Sequence, residues 1–272
     1  MAGTEKATDI VGRLLSKLGT QAKEAEYEGF CAGDPQLPVT RAACCFSPTV
    51  DVLRRAAAEK RTLIIAREHP FYTHGTFYAS GTEAALKNDP VARAKRELIA
   101  SSGLVVYRLA SLWDRAKPAA QATALTKTLG WKPEPAGEAR RHVICRIPAT
   151  SLGALAANIE RRLGAQTLRG VGDRNLVVSR VAVLTGYVDV PACAAAIRDP
   201  QVDAVIAGDA CEWEGAEYLK DVVDSGRKFG VLYAGFVATE QPGAAEMARW
   251  LRSTLPGLDL SLISVPPPAR LP

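Results

Sequence analysis

The chain has 272 residues, of which 47% are hydrophobic and 23% are charged, and these proportions exclude a disordered or fibrous protein. It carries 34 Lys and Arg residues against 29 Asp and Glu residues without a long run of one sign, so the charge pattern does not indicate a nucleic-acid surface. Only three histidines are present, which excludes a His-rich zinc site and any mechanism that needs several imidazoles.

The sequence indicates neither a membrane segment nor an exported protein. No stretch of 18 apolar residues occurs, and the first residues lack the basic and then apolar order of a secretory signal. We therefore expect a cytoplasmic protein without a membrane partner. The cysteines include no CxxC pair, and a chain of this length does not depend on disulfides. We expect all six to be reduced and most of them to be buried: Cys31, Cys44, Cys45, Cys145, Cys193 and Cys211.

The first half of the chain alternates helical and strand-like patterns. Apolar residues at spacings of three and four predict helices over 8–18, 49–58 and 83–101. The predicted strands, which are short apolar runs, are 41–47, 62–66 and 103–110. Such alternation is typical of an α/β fold, in which ligand-bearing loops lie at the carboxyl ends of the strands.

The second half repeats this alternation after a charged and Pro-rich segment, 132–142, which we interpret as a linker or an excursion. The predicted strands are 143–148, 176–186, 203–209 and 228–236. The predicted helices are 151–164, 191–199, 214–225 and 242–254. We therefore predict an N-terminal α/β domain over 1–130 and a C-terminal α/β domain over 131–272, with an approximate boundary.

The clearest candidate for chemistry is Glu68-His69-Pro70, which directly follows the predicted strand 62–66. A carboxylate and an imidazole at a strand end can form half of a metal site. The same residues also occur in solvated loops. His74, five residues after His69, is a second ligand, a substrate contact or a surface residue.

Further carboxylates follow other predicted strands. Asp114 is either a second ligand at the neighbouring strand end, a surface ion pair or a helix cap. Glu240 is either a ligand or a capping residue at a helix entry. The acidic cluster of Asp209, Glu212 and Glu214 could supply ligands, substrate acceptors or only the negative first turn of a helix.

Common phosphate and nucleophile motifs are missing. The segment GVGDRN at 170–175 lacks the third glycine of a dinucleotide-binding loop, and neither GxxxxGK[ST] nor GxSxG occurs. The pair Cys44-Cys45 lies in an apolar run, which favours a buried structural role over nucleophilic catalysis.

Six segments follow one another with the order and spacing of a known protein family. They are EYEGFCAG, FSPTVDVLRRAAAEKRTLIIAREHPFY, VVYRLASLWDRA, RVAVLTG, DAVIAGD and GVLYAGFVATEQPG. In this order they resemble the NIF-three-like family of toroidal dinuclear-metal proteins, often labelled type 2 GTP cyclohydrolase I homologs. The resemblance covers almost the whole chain and implies two α/β halves, each with a mixed sheet flanked by helices. It also implies a homo-oligomer, by family habit a hexamer.

The resemblance implies metal ligands at the positions that match the family's motifs: His69, Asp114 and Glu240. At three further positions the family's motifs have histidine and this chain does not. These residues are Glu68 in the His-His-Pro motif, Ala110 in the HTxxD motif and Phe236 in the GHxxxE motif. Glu68 is a plausible substitute ligand. The ligand set that the resemblance implies therefore contains one imidazole and two or three carboxylates. Such a set favours Fe(II) or Mn(II) and leaves Zn(II) open, with one or two ions per subunit.

By this resemblance the expected function is a metal-dependent hydrolase that acts on a small cyclic or nitrogen-containing substrate through a metal-activated water. The expected catalytic residues, which could serve as general base, are Glu68, His74 and Glu212. Two alternatives stay open. One is a mononuclear non-haem Fe(II) enzyme of the oxygenase type, and the other is a non-catalytic metal-binding or regulatory oligomer.

Overall fold

The computed structural model describes residues 5–19, 28–72, 84–135, 142–166 and 168–266. These residues form two units. Of these residues, the first unit contains those up to Lys117 together with Ala244–Val265, and the second contains those from Pro118 to Gly243 and Pro266. The chain passes from the first unit to the second near residue 117 and returns to the first near residue 243. The domain boundary near residue 130, which the sequence indicates, stays a prediction.

The elements alternate along the chain. The strands are β1 (Gly29–Ala32), β2 (Arg41–Cys45), β3 (Leu63–Ala66), β4 (Val105–Arg108), β5 (Val143–Ser151), β6 (Arg169–Val171), β7 (Val177–Val183), β8 (Tyr187–Val188), β9 (Ala204–Ala207), β10 (Asp209–Ala210), β11 (Gly230–Tyr233) and β12 (Asp259–Leu262). The helices are α1 (Ala7–Leu18), α2 (Val50–Ala58), α3 (Pro90–Ser101), α4 (Ser111–Ala116), α5 (Ala120–Thr128), α6 (Leu152–Leu163), α7 (Val190–Ile197), α8 (Glu217–Asp224) and α9 (Phe236–Thr254). A π-helix, Glu212–Ala216, leads into α8. Within the described ranges, none of the helices is long and apolar enough to cross a membrane.

The first unit contains a five-stranded mixed sheet in the order β1-β4-β3-β2-β12. Only β1 and β4 are antiparallel, and the other neighbours are parallel. Every residue of β3 is buried, as predicted for the run 62–66, so this strand lies in the core of the unit. The side chains of Thr49 and Asp89 accept backbone N–H groups at the starts of α2 and α3, which fixes where these helices begin.

The second unit contains another five-stranded mixed sheet, in the order β5-β7-β9-β11-β6. The two outer pairs are antiparallel and the inner pairs are parallel, while β8 and β10 form a separate parallel pair. Ser151 caps α6 by accepting from the backbone N–H of Ala154 at 3.2 Å. The prediction of two α/β halves, each with a mixed sheet flanked by helices, is confirmed.

The predicted elements differ most from the structure after β11. The predicted strand 228–236 ends at Tyr233, and α9 begins at Phe236 instead of near Pro242. Gly235 permits this change of direction because its φ of 95° lies in the region that favours glycine. Glu240 therefore lies inside a helix, one turn after its start, and does not cap a helix entry.

All six cysteines are free, and four of them are buried, as predicted. Burial raises the pKa of the Cys44 and Cys145 thiols to about 12. These thiols therefore stay protonated at neutral pH and fit a structural role, because the thiolate is the nucleophilic form.

Candidate functional site

Two parallel strands of the first unit end at the same sheet edge and lead into predicted site residues. β3 is followed by Arg67, Glu68 and His69, and its neighbour β4 is followed by α4, which carries Asp114. The backbone N–H of Glu68 donates to the carbonyl of Phe46 at 2.9 Å, which extends the hydrogen bonding beyond β3. Glu68, His69 and Asp114 thus lie at the edge where α/β proteins carry ligand-binding loops.

Both carboxylate oxygens of Asp114 bind one guanidinium group. Arg67 donates through Nη1 to Oδ1 at 2.9 Å and through Nη2 to Oδ2 at 3.0 Å. The Arg67 side chain is only 13% exposed, and Arg108 donates through Nε to the Arg67 carbonyl at 3.1 Å. Two parallel charge-assisted bonds of this kind are both directional and strong. Asp114 is therefore half of a bidentate ion pair, which was one of the alternatives left open by the sequence.

A second carboxylate holds the helix that carries Asp114. Glu28 accepts from the backbone N–H of Ala110 at 2.9 Å, from that of Ser111 at 2.6 Å and from the Ser111 hydroxyl at 2.9 Å. It thereby satisfies the first N–H groups of α4. Neither Glu28 nor Arg67 was among the predicted site residues. Glu28 stands in a segment that carries the family resemblance, but no pattern in the sequence indicated its partners.

His69 uses its Nδ1 atom within its own loop. The backbone N–H of Phe71 donates to His69 Nδ1 at 3.1 Å, and the backbone N–H of Tyr72 donates to the His69 carbonyl at 3.3 Å. A neutral imidazole that accepts at Nδ1 carries its proton on Nε2. In this turn His69 is therefore held as the Nε2–H tautomer, whereas a metal ligand needs a lone pair on the coordinating nitrogen.

Glu240 lies in the second unit, on α9, and is only 3% exposed. Gln121 donates through Nε2 to Glu240 Oε2 at 3.1 Å, and Gln121 itself is 6% exposed. A Cβ atom on Gly186 would lie 2.8 Å from Glu240 Oε1, so the backbone of Gly186 packs directly against the carboxylate. The Gln121 amide and the Gly186 backbone hold this buried carboxylate in place. Any larger residue at position 186 would force the Glu240 side chain to move.

Gly243→Ala is expected to lower the free energy of unfolding by about 1–3 kcal/mol. A Cβ atom at this position would lie 1.6 Å from Gln121 Oε1, so the amide must move and its bond to Glu240 must break. Urea unfolding measures the change. Gly12→Ala is the matched control, because nothing lies within 4 Å of a Cβ there and alanine favours a helix. Equal stabilities of the two variants would contradict the expected effect.

The acidic cluster of the second unit is bound by another arginine. Arg169 donates through Nη2 to Asp209 at 2.7 Å and through Nη1 to Glu212 at 2.5 Å. Its guanidinium carbon lies 5.8 Å from the centre of the Tyr233 ring. Glu212 opens the π-helix, and its side chain is 74% exposed. Two of the three acidic residues of this cluster are thus neutralised within the chain.

The family resemblance implies a metal centre, and the donor atoms can be tested against it. Across the described ranges, no group of three or more His, Cys, Asp and Glu residues could hold a metal ion. Asp114 binds Arg67 with both oxygens, and the Nδ1 lone pair of His69 accepts an N–H. In this arrangement the donor set does not fit a divalent cation. His74, a predicted catalytic residue, lies outside the described residues.

The chain matches a model of a protein family over nearly its whole length. The model of Duf34/NIF3 (NGG1p interacting factor 3) matches residues 6–267. No curated protein matches the sequence significantly.

Several solved structures share the fold over nearly the whole chain. The protein ybgI, of unknown function, is 22% identical and has a TM-score of 0.74, and the match covers 97% of this chain and 100% of that one. A Bacillus cereus protein related to NIF3 is 13% identical with a TM-score of 0.73, over 97% and 98% of the two chains. Reduced HcgD from Methanocaldococcus jannaschii is 14% identical with a TM-score of 0.63, over 95% and 97%. At these identities the likeness shows the fold alone.

Proposed function

Since this chain belongs to the Duf34/NIF3 family, we propose that it keeps the family fold without a working metal centre and acts as a non-catalytic binding or regulatory protein. The proposal corresponds to the non-catalytic alternative of the sequence analysis. It differs from that alternative in one respect, because it requires no bound metal. Fold membership alone does not specify an activity, which depends on the residues of the site.

The ion pair between Arg67 and Asp114 is the observation that supports this proposal most directly. Asp114 matches a metal-ligand position of the family, and here its charge is neutralised by a guanidinium from the adjoining loop. A divalent ion would have to compete with Arg67, which is 13% exposed and donates to both oxygens of the half-exposed Asp114 carboxylate through its two terminal nitrogens. Breaking a well-formed, partly buried pair by removing one partner leaves the other charge poorly solvated. The internal pair therefore competes with a metal for the same oxygens.

Metal content tests the proposal. The protein is purified without chelators, incubated separately with Fe(II) under anaerobic conditions, Mn(II) and Zn(II), and passed over a desalting column before the metal is counted. We expect far less than one ion per chain, and the same low value for His69→Ala and Asp114→Asn. One or more tightly bound ions in the wild type that are lost in both variants would overturn the proposal.

The metal-dependent hydrolase predicted from the sequence is the second candidate. It is favoured by the position of Glu68 and His69 at the carboxyl edge of the first sheet, and the family is associated with divalent metals. In this candidate Fe(II) or Mn(II), or else Zn(II), would be held by His69, Asp114, Glu240 and Glu68, with one or two ions per subunit. The bases would be Glu68, Glu212 and His74. Metal-dependent hydrolysis of small cyclic nitrogen compounds supports it, whereas turnover that requires oxygen and Fe(II) supports the oxygenase alternative.

We also propose that the protein is a cytoplasmic homo-oligomer with a small-molecule ligand, and that nucleic acid is not a partner. The oligomer, by family habit a hexamer, follows from family membership and not from contacts within this chain. Light scattering coupled to size-exclusion chromatography measures the mass directly. A monomer at micromolar concentration would contradict the proposed assembly without bearing on the metal site.

A further inference from the structure

Lys95 is a buried cation that none of the predicted functions uses. It lies on α3 and is 1% exposed. Its ammonium group donates to the Pro70 carbonyl and lies 4.7 Å from the centre of the Tyr72 ring. Among the residues that the structure describes, no Asp or Glu forms an ion pair with it. Burial lowers the pKa of Lys95 to about 8, so the group is still mostly an ammonium at neutral pH.

The partners of Lys95 belong to the loop that carries His69, residues 68–72, which we call the strand-end loop. Tyr72 has a φ of 62°, a left-handed conformation that a non-glycine residue adopts only when its surroundings enforce it. The guanidinium carbon of Arg96, the next residue of α3, lies 5.6 Å from the centre of the Phe71 ring. Helix α3 therefore contacts three consecutive residues of the strand-end loop, through one carbonyl and two aromatic rings.

We propose that Lys95 is a positioning residue that holds the strand-end loop in the turn in which His69 accepts the Phe71 N–H and cannot coordinate a metal. The inference rests on the proposed loss of the metal centre. It adds the reason why His69 cannot coordinate a metal: a cation on helix α3 sets the tautomer of His69. Lys95 acts through the Pro70 carbonyl and the Tyr72 ring and does not bind His69 itself.

Because the Lys95 ammonium is buried, its position is strongly coupled to the conformation of the strand-end loop. An ammonium in a desolvated place depends on its few acceptors, and the Pro70 carbonyl is the hydrogen-bond acceptor that the structure provides. If the loop left this turn, Lys95 would lose both the carbonyl and the aromatic face. The left-handed Tyr72 and the bond from Phe71 to His69 belong to the same turn, so the three features form and break together.

The tautomer of His69 can be read by side-chain nitrogen NMR, because the chain has only three histidines and His69→Gln assigns the signal. In the wild type we expect the two nitrogens of His69 to have the distinct shifts of a fixed Nε2–H tautomer. In Lys95→Met, which keeps most of the length of the side chain and removes the donor, we expect these shifts to move toward the average of the two tautomers. Arg93→Met, an exposed position on the same helix, should leave them unchanged.

A conservative variant separates positioning from packing. Lys95→Gln keeps a donor for the Pro70 carbonyl and should retain more of the fixed-tautomer signature than Lys95→Met; it also serves if the methionine variant fails to fold. A folded Lys95→Met protein in which His69 keeps the wild-type shifts would overturn the inference, and so would a folded Lys95→Gln protein whose His69 shifts lie at the average of the two tautomers although a donor is retained. Tight metal binding by the wild type would instead overturn the proposed function, so the two failures can be told apart.

Discussion

Combining Arg67→Ala, Glu68→His and Lys95→Met is expected to raise the tightly bound metal from near zero to about one Fe(II) or Zn(II) ion per chain. The first change releases both oxygens of Asp114 from their guanidinium partner. The second places another imidazole beside His69, and the third frees the strand-end loop. Two imidazoles and one carboxylate with open positions form a set that suits these metals.

The matched control is Arg67→Ala, Glu68→Gln and Lys95→Met, which makes the same charge changes without adding an imidazole. The variant without the Lys95 change should take up less metal than the full combination, because His69 then stays in its hydrogen-bonded turn. Metal counting after desalting and circular dichroism of each variant provide the measurements. If the folded combination carries no more metal than its control, the added imidazole does not complete a site, and if neither protein takes up metal, the internal pair is not what keeps metal away.

The positions of β2, β3, β4, β9 and β11 could be predicted because their residues are buried almost without interruption, whereas the more exposed β1, β6 and β12 were not predicted. The run 62–66 became β3, and its neighbour β4 lies within the predicted 103–110. Since parallel strands end at the same edge, their order alone was enough to bring Glu68 and Asp114 to one side of the sheet. Nothing in such a pattern indicates which charged side chains pair across the edge, so the Arg67 partner of Asp114 could not be predicted.

One signal for Lys95 was present in the sequence and was not used. Ala92, Lys95 and Ile99 are spaced by three and four residues, so they share one helix face, and all three are buried. A lysine on an otherwise apolar stripe is rarely fully buried without a special partner. The partners themselves, the Pro70 carbonyl and the Tyr72 ring, depend on a left-handed turn, and Tyr72 has no side-chain feature that predicts a positive φ.

Raising the pH from about 7 to above about 10.5 is expected to stabilise the wild type relative to Lys95→Met by about 3 kcal/mol. Burial lowers the pKa of Lys95 in the folded state to about 8, below the ordinary 10.5 of the unfolded chain. Between these values the unfolded state binds more protons, so the free energy of unfolding rises with pH. Below pH 8 the full cost of burying the ammonium is present, and above 10.5 it is gone.

Urea unfolding of both proteins across this pH range measures the difference, in which the shared groups cancel apart from the Cys45 thiol, whose charge interacts with that of Lys95. Lys220→Met supplies a control of opposite sign. Its hydrogen bond to Asp224 raises the pKa of Lys220, so the wild type should lose stability relative to that variant as the pH rises above the ordinary lysine value of about 10.5. The loss should be small because the pair is solvent-exposed. A difference between wild type and Lys95→Met that stays constant with pH would mean that Lys95 titrates like a solvated lysine, and the loop would then have to be held by packing rather than by a desolvated charge.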